Sequence, residues 1–137
     1  MDLFNFLSIY GISKTTNFDL KDMSVDLGLD IKIIMRNEFL LIKKKNIIMN
    51  LQTTKEKGSH WVSISKSKEK YFDPYEVLPT KEVFKVLPNI KYNETQVQPE
   101  GIEMCGQLSL YVLYRLNLGE DFETISKTII ETLNFYS

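Results

Sequence analysis

One cysteine, Cys105, and one histidine, His60, occur in this chain of 137 residues, each followed by a suggestive neighbour in His60-Trp61 and Cys105-Gly106. A thiolate is a strong nucleophile, but a free cysteine with a pKa of about 8.5 is mostly protonated at neutral pH. Two devices favour the thiolate: the N-terminal end of a helix and an adjacent imidazolium. Cys105 opens a strongly apolar run, so it has the first by position, and His60 is the candidate for the second. Asp73 would accept a hydrogen bond from the other ring nitrogen and fix the tautomer, as the third member of a triad does. Glu76 also follows His60 and is a weaker rival for that place.

Acyl transfer needs donors aimed at the developing oxyanion. The backbone N–H of Cys105 and the side-chain amide of Gln98 form the natural pair, with Gln96 close enough to exchange with Gln98. Gly106, lacking a side chain, would let a substrate backbone approach the helix start. Taken singly, each residue has a plainer reading. A lone cysteine is more often core, His60 beside Val62 and Ile64 reads as a packed histidine, Asp73 before Pro74 as a turn former, and Gln98 as a surface amide. Together their order is the one that thiol-dependent acyl transfer requires.

The elements that must position these residues follow from periodicity. Leu3, Phe6, Leu7 and Tyr10 predict a short helix ended by Gly11; Thr16 or Asn17 caps a second with Leu20, Met23 and Leu27 on one face and Gly28 at its exit. Strands are predicted at 31–35, 46–51, 59–65 and 71–73, the last ended by Pro74, with a short helix around 81–87 and a weak strand at 91–97. An even-numbered turn centred on Lys66 and Ser67 places Trp61 opposite Phe72 and His60 opposite Asp73. Cys105 then begins a buried helix through Leu116, Gly119 ends it, and Asp121 caps a final helix with Phe122, Ile125, Ile129 and Leu133 in one stripe. Helices, strands, then helices predict an α+β domain with a central, mostly antiparallel sheet packed on the helix that starts at Cys105.

Composition narrows the function classes. With 43% hydrophobic residues the chain can build one core over residues 1–137 as a single domain. Seventeen basic and 18 acidic residues leave a net charge of −1, which gives no overall footprint for nucleic acid or an anionic membrane, and the Lys43-Lys44-Lys45 run reads as a solvated turn. The N-terminal stretch has Asp2 where a signal peptide has basic residues and is too short for a span, so neither secretion nor an anchor is expected. One cysteine cannot form an internal disulfide, and one cysteine with one histidine cannot build a zinc site from thiolate and imidazole, so no metal is expected. An intracellular, reducing location follows. Only two arginines, no alanine and abundant Ile, Lys and Asn suggest an AT-rich genome.

The order His60-Trp61, Tyr71-Phe72-Asp73-Pro74, Gln98 and Cys105-Gly106 resembles the adenovirus-type cysteine proteases, or adenains, most closely the members from virophages and Maverick/Polinton transposons. Asn17-Phe18-Asp19-Leu20, Met35-Arg36-Asn37-Glu38, Ile47 to Leu51 and Tyr92-Asn93 extend the likeness over roughly residues 15 to 125. The resemblance implies a papain-like fold without cofactor or metal. It makes Cys105 the nucleophile, His60 the general base, Asp73 its orienting carboxylate and Gln98 with the Cys105 N–H the oxyanion hole. Trp61 and Gly106 shape the substrate site. The spacing from Gln98 to Cys105 is that of the adenovirus type, whereas the related SUMO and ubiquitin-like proteases usually place the glutamine where this chain has Pro99. The loop from His60 to Asp73 is shorter than in better-known members, Met104 stands where the ubiquitin-like proteases carry aspartate, and Asn37 where the transposon relatives tend to have aspartate.

The implied role is a monomeric cysteine endopeptidase of a DNA virus, virophage or mobile element. Its substrates would be capsid and core precursor polypeptides, cleaved during virion maturation, in the virion and the infected-cell interior. Some relatives respond to a peptide and to DNA. The near-neutral charge gives little support for DNA here and leaves that contact open, and a disulfide-linked activator would consume the nucleophile, so a peptide activator would bind without one. Two alternatives remain: an isopeptidase acting on ubiquitin or a ubiquitin-like modifier with the same triad, and a catalytically silent interaction module of the same fold.

Overall fold

The computed structural model describes residues 1–51, 60–94 and 103–136. The chain begins with α1 (Leu3–Tyr10) and α2 (Asn17–Asp26). Asp2 caps the first, its Oδ1 accepting from Asn5 N at 2.8 Å. At α2 Thr16 Oγ1 accepts from Asp19 N while Asp19 Oδ2 accepts from Thr16 N, so each of two otherwise unpaired N–H groups is met by the other residue's side chain. The sequence places both helices and their exits.

Five strands follow: β1 (Lys32–Met35), β2 (Asn46–Asn50), β3 (Trp61–Ser65), β4 (Lys70–Phe72) and β5 (Lys91–Tyr92), in spatial order β1-β2-β3-β4-β5. The sheet is mixed, which corrects the expectation of a mostly antiparallel one: β2–β3 and β3–β4 are antiparallel, while β1–β2 and β4–β5 are parallel. The parallel pairs arise because helical turns return the chain across the sheet. A 3-10 helix at Arg36–Leu41, which the sequence pattern does not announce, connects β1 to β2, and α3 (Lys81–Val86) lies between β4 and β5. Apolar runs report burial and not strand direction, so these crossovers are invisible to periodicity. β5 is shorter than the predicted 91–97 strand, whose last three positions lie outside the described residues.

Side-chain alternation divides the core. Ile48, Trp61 and Phe72 join the helices on one face, whereas Ile47, Met49, Val62, Ile64 and Tyr71 join Phe39 and Val83 on the other. β3 is buried at all five positions, as a central strand covered on both faces must be. Its α4-facing positions include Ser63 and Ser65, whose small side chains let the helix lie close.

That helix, α4 (Cys105–Asn117), is buried continuously from Cys105 to Leu113. α5 (Phe122–Tyr136) packs beside it through Phe122, Ile125, Ile129 and Leu133. No helix among the described residues is long and apolar enough to cross a membrane.

The segment between α1 and α2 is fastened to the first turn of α4. Gln107 Nε2 donates to Ser13 O at 2.6 Å and Gly11 O at 3.2 Å, and Thr15 packs on Gly106. A Cβ at position 106 would lie 2.0 Å from Thr15 Oγ1 and 3.2 Å from Leu20 Cδ2. Gly106→Ala is therefore expected to destabilise the protein by ~1–3 kcal/mol through overpacking. Thr15→Ala in the same chain should recover part of that loss in denaturant unfolding, and additive losses would contradict the clash.

Candidate active site

The three chemistry-bearing residues sit at ends of elements, and those ends meet. His60 immediately precedes β3, Asp73 immediately follows β4, and the antiparallel pairing puts these two ends side by side. Cys105 opens α4, which packs on β3.

The hairpin register differs from expectation by two residues. Phe72 pairs with Ser63 and Tyr71 with Ile64, so Asp73 is not directly opposite His60. The cause is a four-residue turn, 66–69, in which Glu69 takes a left-handed conformation at φ 53° and its N–H donates to Lys66 O. A slip of two residues preserves the face, whereas a slip of one would have reversed it. His60 therefore reaches Asp73 diagonally, with Nε2 2.8 Å from Oδ1.

The other ring nitrogen, Nδ1, is left for Cys105, whose interaction with the imidazole favours its protonated form. The cysteine Sγ also accepts the Trp61 backbone N–H at 3.4 Å. Trp61 is fixed twice more, by its indole N–H to Thr15 O at 3.2 Å and by Ser109 Oγ donating to its carbonyl at 3.1 Å. β3, α4 and the segment after α1 thus locate one sulfur atom.

Asp73 has no surface in water, and its surroundings are specific. Oδ1 accepts from Tyr75 N at 2.8 Å, an Asx turn made possible by Pro74 between them. The same oxygen thus accepts the N–H of the turn and lies against the imidazole. Asn93 brackets the Asp73 backbone, its Oδ1 accepting from Asp73 N at 2.9 Å and its Nδ2 donating to Asp73 O at 2.7 Å. Glu76, the rival carboxylate, is exposed in the same turn with φ 62°. The Tyr75 ring lies 5.0 Å from the imidazole, centroid to centroid.

No family model, curated protein or solved structure matches the chain. The site is therefore read from its own geometry. An imidazole bonded to a buried carboxylate, His60 to Asp73, interacts with the thiol of Cys105, the arrangement that lets a base take a proton from sulfur and hold it. The N-cap residue of α4, Met104, makes no side-chain capping hydrogen bond, and at this helix start backbone N–H groups and the helix dipole favour negative charge. Gln98 and Gln96 lie outside the described residues.

Two expected substrate-contacting residues have other work. Gly106 is buried, and its missing side chain makes room for Thr15. Trp61 adjoins the pair, but the residue is only 7% exposed and its backbone makes the contact with sulfur. Sequence reasoning gave no site role to Tyr75, Thr15 or Gln107, and noted Asn93 only within the family likeness. The Asp-Pro-Tyr turn was the one local signal available for Tyr75.

Burial of His60 pulls its pKa down, but the hydrogen bonds with Asp73 and Cys105 and the charges of both outweigh it, raising the value from 6.5 to about 9. A raised folded-state pKa means that the imidazolium contributes stability in full below about pH 6.5 and that this contribution is lost as pH climbs through about 9. Because the chain has a single histidine, its ring resonances titrate without overlap. NMR titration is expected to show a midpoint near 9 in the native protein, moving toward 6.5 in Asp73→Asn. A native midpoint at the ordinary value would remove the ion pair from the site.

Proposed function

We propose that this protein is a cysteine endopeptidase of the adenovirus type, acting on capsid and core precursor polypeptides during particle maturation. The observation that carries the chemistry is His60 held between a fully buried Asp73 at 2.8 Å and the sulfur of Cys105 at the start of a buried helix. The maturation role rests on the motif order His60-Trp61, Asp73-Pro74, Gln98, Cys105-Gly106.

In this reading the Cys105 proton resides on His60, and the sulfur attacks the carbonyl carbon of a peptide bond. The oxyanion is met by the Cys105 N–H, with Gln98 as its side-chain donor. His60 gives its proton to the leaving amine as the C–N bond breaks, leaving a thioester on Cys105. Water then attacks the thioester, His60 takes its proton, and the carboxylic acid departs as sulfur regains the ion pair. Asp73 keeps Nε2 occupied, so that Nδ1 faces the sulfur. With Cys105 as the only thiol, any activating peptide is held without a disulfide.

Incubation with a proteome-derived peptide library, read by mass spectrometry, should yield sequence-selective internal cleavage. Cys105→Ser and His60→Ala should each reduce it by ~10³-fold or more. Cleavage confined to ubiquitin-like fusions would move the assignment to an isopeptidase. Cleavage that survives Cys105→Ser would overturn the proposed nucleophile.

A further inference from the structure

The Asp73 carboxylate can orient His60 only if the main chain beneath it is fixed, and β4 ends one residue before it. Pro74 follows, so the ladder loses its next N–H donor at the point where the catalytic geometry begins. β5 pairs with β4 in parallel through Lys70 with Lys91 and Tyr71 with Tyr92, and no further.

Asn93, the next residue of β5's chain, supplies the missing pairing with its side chain. A carboxamide carries one acceptor and one donor site in the arrangement of a peptide group. Here the acceptor meets Asp73 N–H at 2.9 Å and the donor meets Asp73 C=O at 2.7 Å. Both groups of one residue are thus bracketed by a single side chain that is itself buried. The same residue's Oδ1 receives Tyr75 N–H and faces His60 Nε2, so backbone and side chain are set from opposite sides.

We infer that Asn93 is the positioning residue of the triad: its carboxamide substitutes for a strand neighbour and aims the Asp73 carboxylate at His60. This rests on the endopeptidase reading, and it adds a dependence of the base on the residue that holds the Asp73 backbone. Asparagine is the fitting side chain. Aspartate lacks the donor for Asp73 C=O, leucine has neither group, and glutamine is one methylene too long for the gap.

The test uses the whole chain and follows His60, not turnover. In Asn93→Ala, or in Asn93→Ser if the alanine variant does not fold, the NMR titration midpoint of His60 should fall by ~1 unit or more as the charged pair loosens. The ring N–H proton bonded to Asp73 should exchange with water at least ~10-fold faster, one pKa unit of lost interaction being a factor of ten. Ile90→Val, a core truncation just before β5, serves as the control for general loss of stability and should move neither readout. A His60 midpoint and exchange rate unchanged in a folded Asn93 variant would overturn the inference, as would failure of both variants to fold, which would assign Asn93 to the fold alone. If the native protein shows the His60–Asp73 pair yet cleaves no peptide, the endopeptidase reading fails while the role of Asn93 stands.

Discussion

A carboxylate with none of its surface in water must have a compensating partner, and around Asp73 that requirement governs the arrangement of the site. Removing one partner from a buried pair costs ~3–5 kcal/mol because the remaining charge is left uncompensated. Among the described residues Asp73 Oδ2 has no hydrogen-bond partner, so Oδ1 carries the contacts: the imidazole and the Tyr75 N–H. His60 thereby remains charged to about pH 9 despite its own burial. An imidazolium present at neutral pH is the neighbour that a reactive thiol needs.

The fold delivers this arrangement through chain ends, not through element interiors. The open end of the β3–β4 hairpin supplies base and carboxylate, and the first residue of α4 supplies sulfur. Element ends are where backbone groups lack ladder or helix partners, so each must be satisfied by something else. Trp61 N–H finds Cys105 Sγ, and Asp73 N–H and C=O find Asn93. Rigidity is gained from the serine-lined face of β3 that admits α4, and from the segment after α1 that Gln107 and Thr15 hold against its first turn.

Much of this was legible in the sequence. Caps at Thr16 and Asp121, glycine exits and the strongly apolar stretch from Leu108 to Leu116 are local signals, and the helices follow them. A single cysteine and a single histidine left few choices for the chemistry. Strand direction was not legible, since Ile33 to Met35 and Ile47 to Met49 read alike whether parallel or antiparallel. The register failed by two residues because the turn tip depends on the left-handed backbone of Glu69, a residue type that does not advertise it. The face assignment survived because the error was even. The packing of Thr15 on Gly106 was not legible either, since a glycine beside a nucleophile suggests access and its neighbour stands 91 residues earlier in sequence. The bracket around Asp73 depends on β4 and β5 being parallel neighbours, and no spacing between residues 73 and 93 encodes that.

The central claim is that Cys105 and His60 form an activated pair, and the pH dependence of Cys105 alkylation by iodoacetamide, in native protein and in His60→Ala, tests it most directly. The native thiol should react at pH 6 within ~3-fold of its rate at pH 8, and the variant should lose that low-pH reactivity by ~10-fold or more. A native rate that rises only through the free-thiol range of about 8.5, or identical profiles in the two proteins, would contradict the pair.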